Sequence, residues 1–229
     1  MPYHSRVGMQ TTATDAIPSS ASPGAEGRWD KRADRETIGE TIAALQKRGI
    51  QAELAESRND ALSRLQQLIP AGAEVMTGSS RTLEEIGFLD VLKSDSHQWK
   101  NIKSEILAEK DTARQIELRL RSTLSQYFIG SVHAVTRSGE VVAASAGGSQ
   151  LAAYAYGAKN VIWVVGTQKI VENLDAAITR IREHSLPLED QRMKSLGYPG
   201  SFVGKILIVE KEGPFQIARL IFVNDSLGF

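Results

Sequence analysis

Three short polar stretches hold the residues of this chain best suited to chemistry: Gly78-Ser79-Ser80-Arg81-Thr82, Gly147-Gly148-Ser149-Gln150 and Gly166-Thr167-Gln168-Lys169. Each combines glycine, which lets the backbone turn tightly, with hydroxyls or a cation able to bind a phosphate or carboxylate. Arg81 and Lys169 supply positive charge, and Glu84 and Glu85 follow the first stretch. Glu85 is the candidate for general acid–base work, which would require a shifted pKa. The candidate ligand-binding set is Gly78, Ser79, Ser80, Thr82, Gly147, Gly148, Ser149, Gly166 and Lys169. A plainer role stands beside each: Ser80 and Thr82 can cap a helix, and the glutamates can complement its dipole. Gly147-Gly148 can be a strand-to-helix turn, and Lys169 can be solvated or paired with an acid.

Other chemistries find no support. The second stretch lacks the G-x-G-x-x-G spacing of a dinucleotide fold and the lysine of a phosphate-binding loop. His4, His97, His133 and His184 are scattered without metal-ligand spacing, so no metal site is expected. His133 falls in an apolar stretch, where a hydrogen-bonded core role is expected. G-x-S-x-G is absent. There is no cysteine, which excludes a thiolate-held iron–sulfur cluster, a Cys nucleophile and a disulfide within these residues. Lys+Arg and Asp+Glu are 27 each, so no basic excess points to nucleic acid. Tyr154, Tyr156 and Trp163 read as packing residues, and Glu189, Asp190 and Arg192 as a solvated helix face.

The three stretches need strands and helices to hold them. The sequence is 41% apolar and 24% charged over 229 residues, ordinary for a globular domain able to bury roughly 70% of its unfolded surface. Residues 1–28 are rich in small polar residues and read as a disordered tail; residues 29–229 read as one α/β domain. Ile38, Ile42 and Leu45 mark a helix ending at Gly49, followed by a strand at Ile50–Ala55. Ser57 and Asp60 open a capped helix ending near Pro70, and Ala73–Thr77 is a strand. Thr82 and Glu85 have capping-box spacing for a helix that Gly87 ends or bends. Ile116, Leu120 and Leu124 recur at four-residue steps within a helix over Asp111–Gln126.

Tyr127–Thr136 and Glu140–Ala146 read as strands joined at Arg137-Ser138-Gly139. A short Ala/Tyr-rich helix then runs to Gly157. Val161–Val165 is apolar throughout, as in a strand covered on both faces. Leu174, Ile178 and Ile181 mark a helix that Pro187 separates from a polar helix, Leu188–Lys194. Lys205–Glu210 and Gln216–Asn224 are the last strands. This alternation predicts a largely parallel central sheet flanked by helices, with ligands beyond the carboxyl ends of its strands. The longest apolar run falls far short of the roughly 20 residues of a membrane span, and no signal-peptide segment is evident. The cytoplasm is the expected location.

Taken together, AGAEVMTGSSRTLEEIGFLDVL (Ala71–Leu92), the segment Ser131–Arg192 containing GTQKIV, and IARLIFVNDSLGF (Ile217–Phe229) resemble the LUD (lactate utilisation) domain family. The resemblance implies an α/β fold similar to ribose-5-phosphate isomerase, glucosamine-phosphate deaminase and the CoA transferases. Those proteins bind phosphorylated or acyl ligands at strand-end loops. By position, Gly78, Ser79, Ser80, Thr82 and Glu85 match the family's first motif, Gly147, Gly148 and Ser149 its second, and Gly166 and Lys169 its third. The chain resembles the small stand-alone members, but PLEDQRMKSLGYPGS stands where many of them carry cysteines.

The resemblance implies an accessory or ligand-binding component of L-lactate (2-hydroxy acid) oxidation to pyruvate. Iron–sulfur clusters would sit on partner subunits, with no cofactor in this chain. A homodimer is compatible with it. Two other readings stay open: an isomerase- or acyl-transfer-type enzyme or sensor for a small phosphorylated or carboxylated metabolite, and a scaffold for partner subunits.

Overall fold

The computed structural model describes residues 27–94 and 96–229. Most of the tail expected over residues 1–28 therefore lies outside the described residues. The strands are β1 Gln51–Ala55, β2 Glu74–Thr77, β3 Lys100–Asn101, β4 Tyr127–Gly130, β5 Ala134–Thr136, β6 Val141–Ser145, β7 Asn160–Gly166, β8 Ile170–Val171, β9 Lys205–Val209 and β10 Ile217–Val223. The helices are α1 Arg35–Lys47, α2 Arg58–Leu68, α3 Arg81–Glu85, α4 Phe88–Lys93, α5 Ile102–Ala108, α6 Thr112–Arg121, α7 Ser149–Ala152, α8 Leu174–Arg180 and α9 Leu186–Ser195.

Six strands form a parallel sheet in the order β1-β10-β7-β4-β2-β3. β7 lies inside it, and all of its residues are buried. Val161, Trp163 and Val165 face one core, and Ile162 and Val164 the other, which explains a strand apolar at every position. On one face, Ala61 and Leu65 of α2 and Leu83, Ile86 and Phe88 pack against Val75, Ile129 and Ile221. Each fully buried Val, Leu, Ile or Phe side chain among them contributes about 1.5–3 kcal/mol relative to exposure.

The other face meets a second, four-stranded sheet in the order β8-β5-β6-β9, which the linear pattern does not announce. Its β5–β6 hairpin turns at Arg137-Ser138-Gly139, with β6 paired antiparallel to both β5 and β9. The far side of this sheet is covered by Ala177 and Ile181.

The structure changes or adds four local details. Tyr127–Thr136 is not one strand: β4 ends at Gly130 in the large sheet, and Ser131–His133 carries the chain to β5 in the small one. The last two strands, β9 and β10, likewise belong to different sheets. Pro187 does not separate two helices. From Leu174 to Ser195 the chain is helical throughout, through a π-turn at Ile181–Ser185 that precedes the proline. The wider turn accommodates a residue that has no N–H to donate and whose ring crowds the carbonyl four residues earlier. Finally, the periodic residues Ile116, Leu120 and Leu124 are helical but exposed, and α6 buries none of its side chains.

Among the described residues, no helix is long and apolar enough to cross a membrane.

Candidate functional site

From β2 the chain moves outward to β3, whereas from the adjacent β4 it leaves for β5 and β6 of the second sheet and re-enters this one at β7, on the other side of β4. Loops leaving neighbouring carboxyl ends in opposite directions open a crevice between them. A cavity of about 680 Å³ lies there, lined by Gly78–Thr82 after β2 and by Ser131–His133 after β4. Gly147, Ser149 and Gln150 after β6, and Lys169 after β7, line it as well. The three stretches singled out from sequence thus meet.

Their contacts are direct. Thr82 Oγ1 and Ser131 Oγ accept hydrogen bonds from Lys169 Nζ at 3.2 and 3.3 Å. Gln150 packs on Gly78, where an added Cβ would stand 2.9 Å from its Oε1. Ser80 caps α3, accepting from the Leu83 amide at 3.3 Å. Thr82 is not the cap that its spacing with Glu85 suggests. It lies inside the helix, and its hydroxyl donates to the Leu227 carbonyl while receiving the lysine.

Three sequence-chosen residues stand beside the cavity and do not line it. Gly148 adopts φ +95, the left-handed geometry that lets the chain turn from β6 into α7, and its Cβ position is filled by the Lys205 side chain. Gly166 is a close-approach residue, since a Cβ there would lie 2.7 Å from Leu227 N and 2.9 Å from Asp225 O. Glu85 has both oxygens engaged: Oε1 accepts from Arg81 Nε at 3.0 Å and Oε2 from the Gly228 amide at 2.8 Å.

The lining is positive. Arg81, Lys103, Arg119, Lys169 and Arg192 contribute cations, and Glu189 the one carboxylate side chain. Arg81 pairs with Glu84 and Glu85, and Arg192 with Glu189. Among the described residues, Lys103, Arg119 and Lys169 have no carboxylate within 4.0 Å.

Lys169 is only 2% exposed. Burial pushes its amine down to about 7; the Arg180 charge acts the same way, and Glu85 opposes both. Burial also lowers the Lys103 amine.

Sequence reasoning missed two arginines. Arg192, expected on a solvated face, has a side chain only 17% exposed. It grips Glu189 through two hydrogen bonds and reaches across to Ser79 Oγ at 2.8 Å, joining α9 to the loop after β2. The hydrogen bonds with Glu189 raise its pKa further.

Arg180 is fully buried behind the cavity wall. Its Nη1 donates to the His133 carbonyl at 2.7 Å and to Ser185 Oγ at 3.1 Å, whereas Nε and Nη2 have no partner. Burial lowers it to about 10. No linear signal marks either arginine, because each acts across more than forty residues of sequence.

His133 has the hydrogen-bonded role expected of it: Nδ1 accepts from the Ala144 amide at 3.1 Å. Burial, with the charges of Lys169 and Arg180, lowers it to about 3, so the ring is neutral and carries its hydrogen on Nε2. It also lines the cavity. Tyr154 packs edge-on between Phe128 and Trp163, as expected of a packing residue, whereas Tyr156 is exposed.

Among the described residues, no group of three or more His, Cys, Asp or Glu side chains is placed to hold a metal ion.

A sequence model of the LUD domain family matches residues 38–218. Among solved structures, a DUF162 family protein from Deinococcus radiodurans is similar to the chain at 10% identity and a TM-score of 0.48. The similarity covers 82% of this chain and 95% of that one. No curated protein matches.

Proposed function

Because the chain belongs to the LUD domain family, we propose that it is a ligand-binding, accessory component of L-lactate (2-hydroxy acid) oxidation to pyruvate, with electron transfer carried out by partner subunits. The observation that carries this reading is the cavity lined by Lys103, Arg119 and Lys169, which among the described residues have no carboxylate within ion-pair distance. A ligand carboxylate would supply the missing negative charge in a site of reduced dielectric, where the pairing is stronger than in water. Ser79 and Ser131 offer hydroxyls to such a ligand. Iron–sulfur clusters on partners are part of the proposal because these 229 residues contain no cysteine to ligate one. Cytoplasmic location and association with such subunits are proposals on the same footing.

One observation favours the second reading, a small-metabolite enzyme or sensor. At about 680 Å³ the cavity falls in the range that encloses drug-sized ligands and far exceeds a three-carbon acid. Its lining also includes apolar side chains, among them Leu186, Met193 and Phe202. A phosphorylated or acylated carboxylate would use both the cationic and the apolar lining, with Glu85 reaching the chemistry only if Arg81 and the Gly228 amide release it.

Thermal-shift titration with L-lactate, pyruvate, sugar phosphates and acyl-CoA separates the two, since a ligand that binds the folded state raises the melting temperature. Stabilisation by lactate or pyruvate, together with impaired growth on L-lactate after deletion of the gene, is the expected result. Stabilisation by phosphates or CoA esters alone, with growth unaffected, transfers support to the second reading.

A further inference from the structure

We propose that Lys169 is a covalent capture site for a 2-oxo carboxylic acid, its amine condensing reversibly with the ligand's ketone to form an imine at the cavity wall. This rests on the cavity being the ligand site argued above.

The geometry is that of a nucleophilic lysine. A long charged side chain normally keeps its head in water or pairs with a carboxylate when buried. Lys169 does neither: its amine ends between the hydroxyls of Thr82 and Ser131, and all three residues line the cavity. Burial and the nearby Arg180 disfavour the ammonium form, leaving neutral amine near pH 7. Lys103 and Arg119 remain on the same walls to hold the acid's carboxylate.

The step balances with the groups present. The Nζ lone pair adds to the ketone carbon, forming the C–N bond and converting C=O to a C–O single bond. One amine hydrogen passes to that oxygen, with the Thr82 and Ser131 hydroxyls as relays. The second hydrogen follows, the C–O bond breaks and water leaves, so amine plus ketone yields imine plus water. Addition of water reverses the sequence. No oxidant or reductant takes part. A 2-hydroxy acid has no ketone and cannot react this way, so capture would distinguish the oxidised acid from the reduced one.

The test is reductive trapping. The full chain is incubated with pyruvate, treated with sodium borohydride, and followed by intact mass and peptide mapping. The expected result is a single adduct on Lys169, equal in mass to pyruvic acid less one oxygen. It should require borohydride, be absent with L-lactate, and be missing from Lys169→Met and Lys169→Arg. The arginine variant keeps the charge without the nucleophile, and the methionine variant removes a buried charge; melting curves establish that each is folded. Thermal stabilisation by pyruvate with no adduct, or an adduct on Lys103 or surface lysines instead, overturns the covalent proposal and leaves the ligand site standing. Absence of both stabilisation and adduct removes the two together.

Discussion

The Lys169 amine donates to the Thr82 hydroxyl over 3.2 Å, joining the loop after β7 to the helix after β2 across the strand β4 that lies between them. Thr82 in turn donates to the Leu227 carbonyl, so the chain beyond β10 is tied to the same point. This junction underlies the cavity, and it places a positive charge where water hardly reaches.

That placement makes stability depend on pH. The folded-state pKa of Lys169, about 7, lies below its ordinary 10.5, so between those values the unfolded chain binds the extra proton and stability rises with pH. Below pH 7 both states are protonated and the burial penalty is present in full. The groups facing Lys169 are Arg180, Glu85, His133 and His184, and both histidines are already neutral through this window. Lys169→Met removes the titrating group. Its stability relative to the natural chain should be highest below pH 7 and fall by about 1 kcal/mol per pH unit above it. Denaturant melts of both proteins from pH 6 to 10 check this; a constant difference would contradict it.

Arg192 ties α9 to the loop after β2 through Ser79. Arg192→Ala should cost about 1.5–3 kcal/mol, the scale of hydrogen bonds to a charged group, and leave Glu189 without its partner. Hydrogen exchange should quicken mainly in residues 186–204. Uniform loosening of the whole chain would assign Arg192 a different role.

Glu85 accepts the Gly228 amide and the Arg81 side chain. Glu85→Gln keeps an acceptor but loses the charge, and should free the Ser226–Phe229 segment with a loss of about 1 kcal/mol. Limited proteolysis checks this, cleavage near the carboxyl end being the expected sign.

Gly166→Ala places a methyl group against backbone at Leu227 and Asp225, atoms that cannot rotate away. Overpacking of this kind costs about 1–3 kcal/mol, read as a lowered denaturation midpoint. An unchanged midpoint would mean that the 225–227 loop yields freely.

Much of this arrangement is legible in sequence wherever one segment carries its own signal. Val161–Val165 reads as a doubly covered strand because every side chain is apolar, and Ser57 announces its helix through its position before Asp60. The central sheet and the strand-end position of the three polar loops follow from such signals. What depends on distant partners does not. Nothing local tells β5 from a continuation of β4, since both are apolar and the break at Ser131–His133 has no glycine or proline after Gly130. Pro187 reads as a helix break because the compensating π-turn lies in the preceding residues. Arg192 reads as solvated because Ser79, its partner, is 113 residues away. Ile116 and Leu120 show the converse: a helical period survives where burial does not.

The central claim is that the cavity between the β2, β6 and β7 loops binds a small carboxylate through Lys169. Calorimetric titration of pyruvate into the natural chain and into folded Lys169→Met tests it most directly. Saturable binding to the former, weakened at least tenfold in the latter, is the predicted result; equal affinity in both, or no heat in either, would contradict it.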